Sequence, residues 1–309
     1  MGIFANLHLD LPQAPFEFKV KQGATLKSLS RQLAEANLLT ENVSFWILGR
    51  LMGKATRIHA GTYRLESALT PLELLDKLNR GDVVPSSVVF VEGTTFAEML
   101  HTIDGSPDVR HTLTGLSGNE ILIRIGAAET SPEGLFFPDT YRFSPGSADI
   151  DILRRSYQTM QQKLAAAWEQ RDPRLPYRSS YEALIMASIV EKETGKSDER
   201  ALIAAVFINR LRIGMRLQTD PTVIYGMGEG FDGNIRKRDL GIDTPYNTYT
   251  RDGLPPTPIA MPGWASLLAA VKPAQSDKLY FVAKGDGSHS FSRSLDEHNR
   301  AVAKYQLGK

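Results

Sequence analysis

A nearly continuous apolar segment followed by acidic residues constrains this chain more than any other feature. The segment Ala183–Val190 has one hydroxyl side chain, Ser188, and is otherwise apolar. Ser179 and Glu182 fit the capping box that begins a helix, and Gly195 is typical of the left-handed residue that ends one. The sequence therefore predicts one buried helix of about four turns, with acids at its C-terminal end.

Glu191 and Glu193 lie on nearly opposite sides of this predicted helix, at roughly 100° per residue. They cannot serve one site, so we expect one working glutamate and one that an arginine holds structurally. Burial and the helix dipole both raise the pKa of Glu193, which favours the protonated carboxyl of a general acid. The alternative is a solvated glutamate at a fraying helix end.

Composition limits the chemistry that any site can use. The 309 residues are enough for two domains, and 42% hydrophobic with 23% charged residues is typical of a folded globular protein. A net charge of +1 gives no electrostatic reason to expect nucleic acid. The chain has no cysteine, and its six histidines lack metal-ligand spacing, so we expect no metal site. No phosphate loop or dinucleotide motif is present, so we expect no cofactor.

The organisation changes near residue 85. The extended run Phe16–Val20 leads through Gly23 into a helical pattern from Leu26, and a similar order returns around Gly93 and Phe96. This cassette of strand, glycine turn and helix resembles the LysM glycan-binding module, although any small α+β domain can give the same pattern. Later segments predict three helices, over residues 151–171, 179–195 and 198–213, and Ser197 is expected to cap the last of them. A hairpin over 279–291 and a closing helix from Leu295 are predicted to follow.

Four segments carry a closer resemblance: Ser188–Thr194, Asn209–Gly226, Tyr246–Tyr249 and Gly253–Pro256. They are similar to the MltG/YceG family of endolytic peptidoglycan transglycosylases, over almost the whole chain. The resemblance implies an α+β fold with a small LysM-like glycan-binding front domain, residues 1–85. A mostly helical, lysozyme-like catalytic domain with a short β hairpin, residues 86–309, is expected to follow.

The resemblance also implies roles for individual residues. In lysozyme-like transglycosylases a catalytic glutamate precedes a glutamine loop and a Tyr-Asn motif, an order that favours Glu193 over Glu191 here. Thr194 replaces the family's serine, and the loop before the glutamine is longer. The implied substrate-binding residues are Gln218, Thr222, Tyr246, Asn247 and Tyr249. Glu191, Asp220 and Glu133 are left as supporting or ambiguous, and Asp220 could instead cap the turn before Pro221.

The implied reaction is cleavage of the β-1,4 bond between N-acetylmuramic acid and N-acetylglucosamine in nascent peptidoglycan. Glu193 would protonate the leaving oxygen and then take a proton from the C6 hydroxyl, which leaves a 1,6-anhydro end. The expected outcome for the cell is termination of strand elongation. Two alternatives remain open. One is a noncatalytic LysM-type wall-binding protein, and the other is a muramidase that uses Glu193 with Asp220 or Glu133.

Location and partners are implied by the resemblance alone. The family carries a single N-terminal transmembrane helix, and no apolar run here is long enough to span a bilayer. We therefore expect that Met1 begins a trimmed chain. The full-length protein is expected in the inner membrane, with this part on the periplasmic side. Expected partners are peptidoglycan strands and penicillin-binding synthases.

Overall fold

The computed structural model describes residues 5–308, which form two compact units. The first unit contains the chain up to Val88 together with Ser106–Thr112 and Arg142–Asp149. The second contains the rest. Helices combine with three two-stranded sheets, so the expected α+β class is confirmed. The boundary between residues 85 and 86 and the LysM-like and lysozyme-like descriptions stay predictions.

The first unit is built around one antiparallel strand pair. Its elements are β1 (Phe16–Val20), α1 (Leu26–Glu35), α2 (Val43–Leu51), β2 (Gly61–Leu65) and α3 (Pro71–Arg80). Strands β1 and β2 pair in antiparallel register. Thr25 and Thr70 form capping boxes that begin α1 and α3, and Gly81 ends α3 with a φ of 66°. Tyr63 and Phe45 are fully buried in the core of this unit.

The remaining elements belong mostly to the second unit. In chain order they are β3 (Ser86–Val89), α4 (Phe96–Asp104), α5 (Gly118–Ile125), β4 (Thr140–Phe143), α6 (Asp149–Glu169), α7 (Ser180–Glu193), α8 (Arg200–Arg212), α9 (Asp220–Met227), α10 (Trp264–Val271), β5 (Tyr280–Ala283), β6 (His289–Ser292) and α11 (Leu295–Tyr305). The predicted hairpin is confirmed, because β5 and β6 pair in antiparallel register.

Helix α7 is the buried helix that the sequence predicts. Every residue from Ala183 to Val190 is buried, and α10 packs against both α7 and α8. Its predicted end is wrong, because the chain leaves the helix through an extended Thr194 with a φ of −148° rather than through a left-handed Gly195. The carboxyl group of Glu193 therefore lies at the last helical residue.

The predicted start of α8 is also wrong. Glu199 rather than Ser197 is the N-cap, and the Glu199 N–H donates to the Lys196 carbonyl at 3.3 Å. This turn delays the first helical residue to Arg200. Within residues 5–308, none of the helices combines the length and apolarity that a bilayer-spanning segment requires.

Candidate active site

Glu193 lines a cavity of about 460 Å³ in the second unit. The walls come from the end of α7, from α8, from the segment that leads into α9, from the β5–β6 hairpin and from α11. The polar lining residues are Glu193, Arg210, Gln218, Thr219, Asp220, Tyr249, Tyr280, His289, His298 and Gln306. Glu193 is partly exposed and is one of the residues that line the cavity.

The surroundings of Glu193 place its pKa at about 7. Burial is the main cause, and the negative charge of Asp220 raises the pKa further. A hydrogen bond from the Thr219 hydroxyl to Glu193 Oε1 and the positive charges of His289 and Arg210 act in the opposite direction. A carboxyl group poised near neutrality can both donate and accept a proton, as acid–base catalysis requires.

Thr219 is held rigidly against Glu193. Its N–H donates to Thr248 Oγ1 at 3.0 Å, and its carbonyl accepts a bond of 2.8 Å from the Thr222 hydroxyl. The preceding residue, Gln218, adopts a left-handed φ of 48°, and its N–H donates to the Thr248 carbonyl at 3.1 Å. Left-handed backbone is unusual for a side chain of this kind and is often found at functional sites.

Asp220 shares the cavity with Glu193 and is fixed by Tyr249. The Tyr249 hydroxyl donates to Asp220 Oδ1 at 2.5 Å. Burial raises the pKa of Tyr249, and the hydrogen bond to Asp220 raises it further, so the hydroxyl keeps its proton. Asp220 is also the first residue of α9, where the helix dipole favours a negative charge. The cavity thus holds two acidic side chains, Glu193 and Asp220.

The predicted substrate-binding residues do not share one environment. Gln218 and Tyr249 line the cavity. Thr222 and Asn247 are both 0% exposed, and the Asn247 amide donates to two backbone carbonyls of the preceding loop at 3.1 and 2.7 Å. Tyr246 is outside the cavity lining, and its hydroxyl lies 2.9 Å from a threonine hydroxyl. In this structure Thr222 and Asn247 hold the loop rather than offer a surface to a sugar.

Glu191 lies in a different environment from Glu193. Its Oε2 accepts the Gly263 N–H at 2.8 Å, and Arg200 Nη2 lies 3.7 Å from its Oε1. The side chain of Glu191 is buried and does not line the Glu193 cavity. Glu191 joins α7 to the start of α10.

Glu133 is a second buried acid with a pKa raised to about 7, again mainly by burial. Its Oε1 accepts the Phe96 N–H at 3.0 Å, and its Oε2 accepts the Tyr225 hydroxyl at 3.0 Å. Glu133 is outside the Glu193 cavity lining. Within the described part of the chain, no group of three or more acidic or histidine side chains is arranged to hold a metal ion.

Sequence reasoning missed four residues of this site: Thr219, Arg210, His289 and Glu199. Arg210 donates to the Leu279 carbonyl at 2.7 Å and to the Leu217 carbonyl at 2.5 Å, which joins α8 to the hairpin. An arginine inside an apolar helix was a signal that could have identified it. The sequence contains no comparable local signal for the other three.

A second groove, of about 650 Å³, lies in the first unit beside Trp46. Lys27 Nζ lies 5.7 Å from the centre of the indole ring, and the guanidinium of Arg50 lies 5.4 Å from it. Gly23 and Thr25, from the turn after β1, also line the groove. An aromatic ring flanked by hydrogen-bond donors is a surface that suits a sugar ring.

A poised acid in a cavity of a mixed α+β fold defines a candidate acid–base enzyme site. The profile of the YceG-like family matches residues 18–304, and the chain belongs to this family. It is 42% identical over 179 residues to the endolytic murein transglycosylase of Bacillus subtilis (strain 168), covering 57% of this chain and 49% of that protein.

Two further comparisons cover nearly the whole chain. The endolytic murein transglycosylase of Streptococcus pneumoniae serotype 2 (strain D39) is 26% identical over 331 residues, which cover 94% of this chain and 58% of that protein. A crystal structure of a putative YceG-like protein from Listeria monocytogenes has a TM-score of 0.55 and 28% identity, covering 93% of this chain and 98% of that one. The chain spans about half the length of the curated relatives it matches.

Proposed function

We propose that this chain is an endolytic lytic transglycosylase of peptidoglycan. The observation that carries the proposal is the cavity acid Glu193, whose pKa of about 7 suits both proton transfers of the reaction. The relatives' name, endolytic murein transglycosylase, supports the same substrate class.

The proposed reaction uses Glu193 twice. Glu193 gives its proton to the oxygen between N-acetylmuramic acid and N-acetylglucosamine, and the 2-acetamido group stabilises the developing cation. The Glu193 carboxylate then takes the proton of the C6 hydroxyl, whose oxygen bonds to C1 and closes the 1,6-anhydro ring. Because Thr219 occupies Oε1, Oε2 is the oxygen that carries the proton. We assign substrate contacts to Gln218 and Tyr249, which line the cavity.

A muramidase is the second candidate, because Asp220 shares the cavity with Glu193. A second carboxylate can activate water or act as the nucleophile, and the product then has a reducing end. Mass spectrometry of digested, uncrosslinked glycan separates the two reactions, because an anhydro end is lighter by one water molecule. Reducing ends as the main product would overturn the transglycosylase assignment, and no cleavage at all would favour a noncatalytic wall-binding protein.

We further propose that the first unit binds glycan through the Trp46 groove, as a LysM-like module would. Trp46→Ala is expected to weaken cleavage of long strands by roughly five- to tenfold and to leave cleavage of short oligosaccharides nearly unchanged, because remote binding energy needs remote sugars. Trp168→Ala, in α6 of the second unit, is the matched control. Equal losses on both substrates would make the groove a folding support.

We also propose that the full-length protein sits in the inner membrane, with this chain on the periplasmic side. There it would cleave nascent strands beside penicillin-binding synthases and so end strand elongation. These proposals rest on the family resemblance. Membrane fractionation of the full-length protein tests the location, and crosslinking in cells tests the synthase contact. A cytosolic full-length product would overturn the location.

A further inference from the structure

A histidine–glutamate pair, whose histidine lines the Glu193 cavity, has no role in the reaction described so far. Glu199 Oε1 accepts the His289 N–H at 3.0 Å, and Glu199 Oε2 lies 2.7 Å from His289 Nδ1. The side chains of His289 and Glu199 are only 12% and 14% exposed. One carboxyl group therefore holds both the backbone and the ring of His289, which fixes the ring orientation.

The contact between Glu199 and Nδ1 determines which nitrogen of the His289 ring can bind another group. Burial raises the pKa of Glu199, but the two hydrogen bonds from His289 and the positive charges of His289 and Lys196 together outweigh it. The pKa of Glu199 therefore lies below its usual range. Glu199 is thus an ionised acceptor, and Nδ1 must carry a proton. Nε2 makes no hydrogen bond to the described residues and is free on the side of the ring away from Glu199.

His289 lies where its charge can act on Glu193. His289 lines the same cavity as Glu193, and its positive charge stabilises the Glu193 carboxylate. The Phe281 ring packs perpendicular to the imidazole, with ring centres 5.4 Å apart. The ring is thus fixed by Glu199 and by a neighbouring side chain of β5.

The other charged and titratable groups that line this cavity differ from His289. Arg210, from α8, has a permanent charge whose donors are bonded to two carbonyls. Asp220, from α9, is bound by the Tyr249 hydroxyl. His298, from α11, stacks on Tyr280 at 5.3 Å, and burial lowers its pKa.

We propose that His289, held by Glu199, is a positioning residue that places a positive charge in the Glu193 cavity and stabilises the Glu193 carboxylate between the two proton transfers. This inference rests on the proposed acid–base role of Glu193. The imidazolium favours release of the proton to the glycosidic oxygen. Glu199 supports this role by fixing the orientation of the imidazole ring.

The decisive measurement is a titration of Glu193 that needs no substrate. The carboxyl carbon of Glu193 is followed by ¹³C NMR in the full chain and assigned by its loss in Glu193→Gln. In His289→Gln the pKa of Glu193 is expected to rise by roughly half a unit to one unit, because a nearby opposite charge is removed. Glu199→Gln keeps acceptor oxygen for the ring and should shift the pKa in the same direction by a smaller amount.

The two variants are combined to test whether the residues act as a unit. If Glu199 acts through His289, the double variant should have the same Glu193 pKa as His289→Gln alone. Arg293→Gln is the matched control, because it breaks an exposed ion pair with Asp277 at 2.7 Å just after β6. It should leave the pKa of Glu193 unchanged.

Activity provides the second readout. The high-pH limb of the rate should move to higher pH in His289→Gln by the amount that NMR measures. A lower melting temperature with an unmoved Glu193 titration in both variants would make the pair purely structural and overturn the inference. If wild-type protein cleaves no glycan, the proposed function fails, whereas the NMR coupling still tests His289.

Discussion

Glu193 and Glu133 are both buried acids, but the surroundings of their carboxyl groups differ. Burial raises the pKa of both to about 7. The oxygens of Glu133 are occupied by the Phe96 N–H and the Tyr225 hydroxyl, whereas Glu193 has one oxygen bonded to Thr219 and lines a cavity. A perturbed pKa thus indicates a candidate, and access decides between candidates.

The largest expected effect follows from removing the proton of the cavity acid. Glu193→Gln keeps the shape of the side chain but cannot transfer a proton, so glycan cleavage should fall by about 100-fold or more. Product formation is measured by mass spectrometry, with circular dichroism to show that the variant is folded. Full activity in a folded variant would contradict the assignment of Glu193 as the catalytic acid, and Glu133 would then be the better candidate.

The pH dependence of the wild-type rate sharpens the same distinction. Glu193 must start the reaction protonated, so the rate should fall above a pH of about 7, approaching tenfold per pH unit. Glu133→Gln should leave this limb in place. Movement of the limb in that variant would mean that Glu133, and not Glu193, controls the rate.

Glu191 extends the comparison to a buried acid that has a charged partner. Glu191→Gln weakens the contact with Arg200 and the bond from the Gly263 N–H, and breaking a buried pair can cost about 3–5 kcal/mol. We expect a clearly lower melting temperature and, per folded molecule, cleavage within a few-fold of wild type. A stable but inactive Glu191→Gln protein would show that Glu191 is the catalytic acid.

The smallest expected effect on cleavage is that of Glu133→Gln, and its signature is in stability. The folded-state pKa of about 7 lies above the ordinary value of 4.5, so this group's contribution to wild-type stability is full below about pH 4.5 and is lost as the pH rises through about 7. Glu133→Gln has no titrating group at this position, so its stability lacks this decrease with rising pH. Its melting temperature relative to wild type should therefore increase between pH 5 and pH 8, and a constant difference would contradict a buried, neutral Glu133.

The sequence alone determined the buried helix α7, the β5–β6 hairpin, and the strand and helix that begin the first unit. These features depend on periodicity and on residues three or four apart, which a chain carries in its local order. Local order also placed Glu191 and Glu193 on opposite sides of α7. It failed at the boundaries of α7 and α8, where an extended Thr194 and the turn before Arg200 replace the expected ends.

Only the tertiary structure decided what surrounds Glu193. Thr219, Arg210 and His289 come from three separate segments, and Glu199 fixes His289 across 90 positions of the chain. Packing of α8, the loop before α9 and the β5–β6 hairpin brings these segments to the end of α7. Such proximity depends on how distant elements fill one core, so the position of Glu193 was readable from its own helix, whereas the charges that tune it were not.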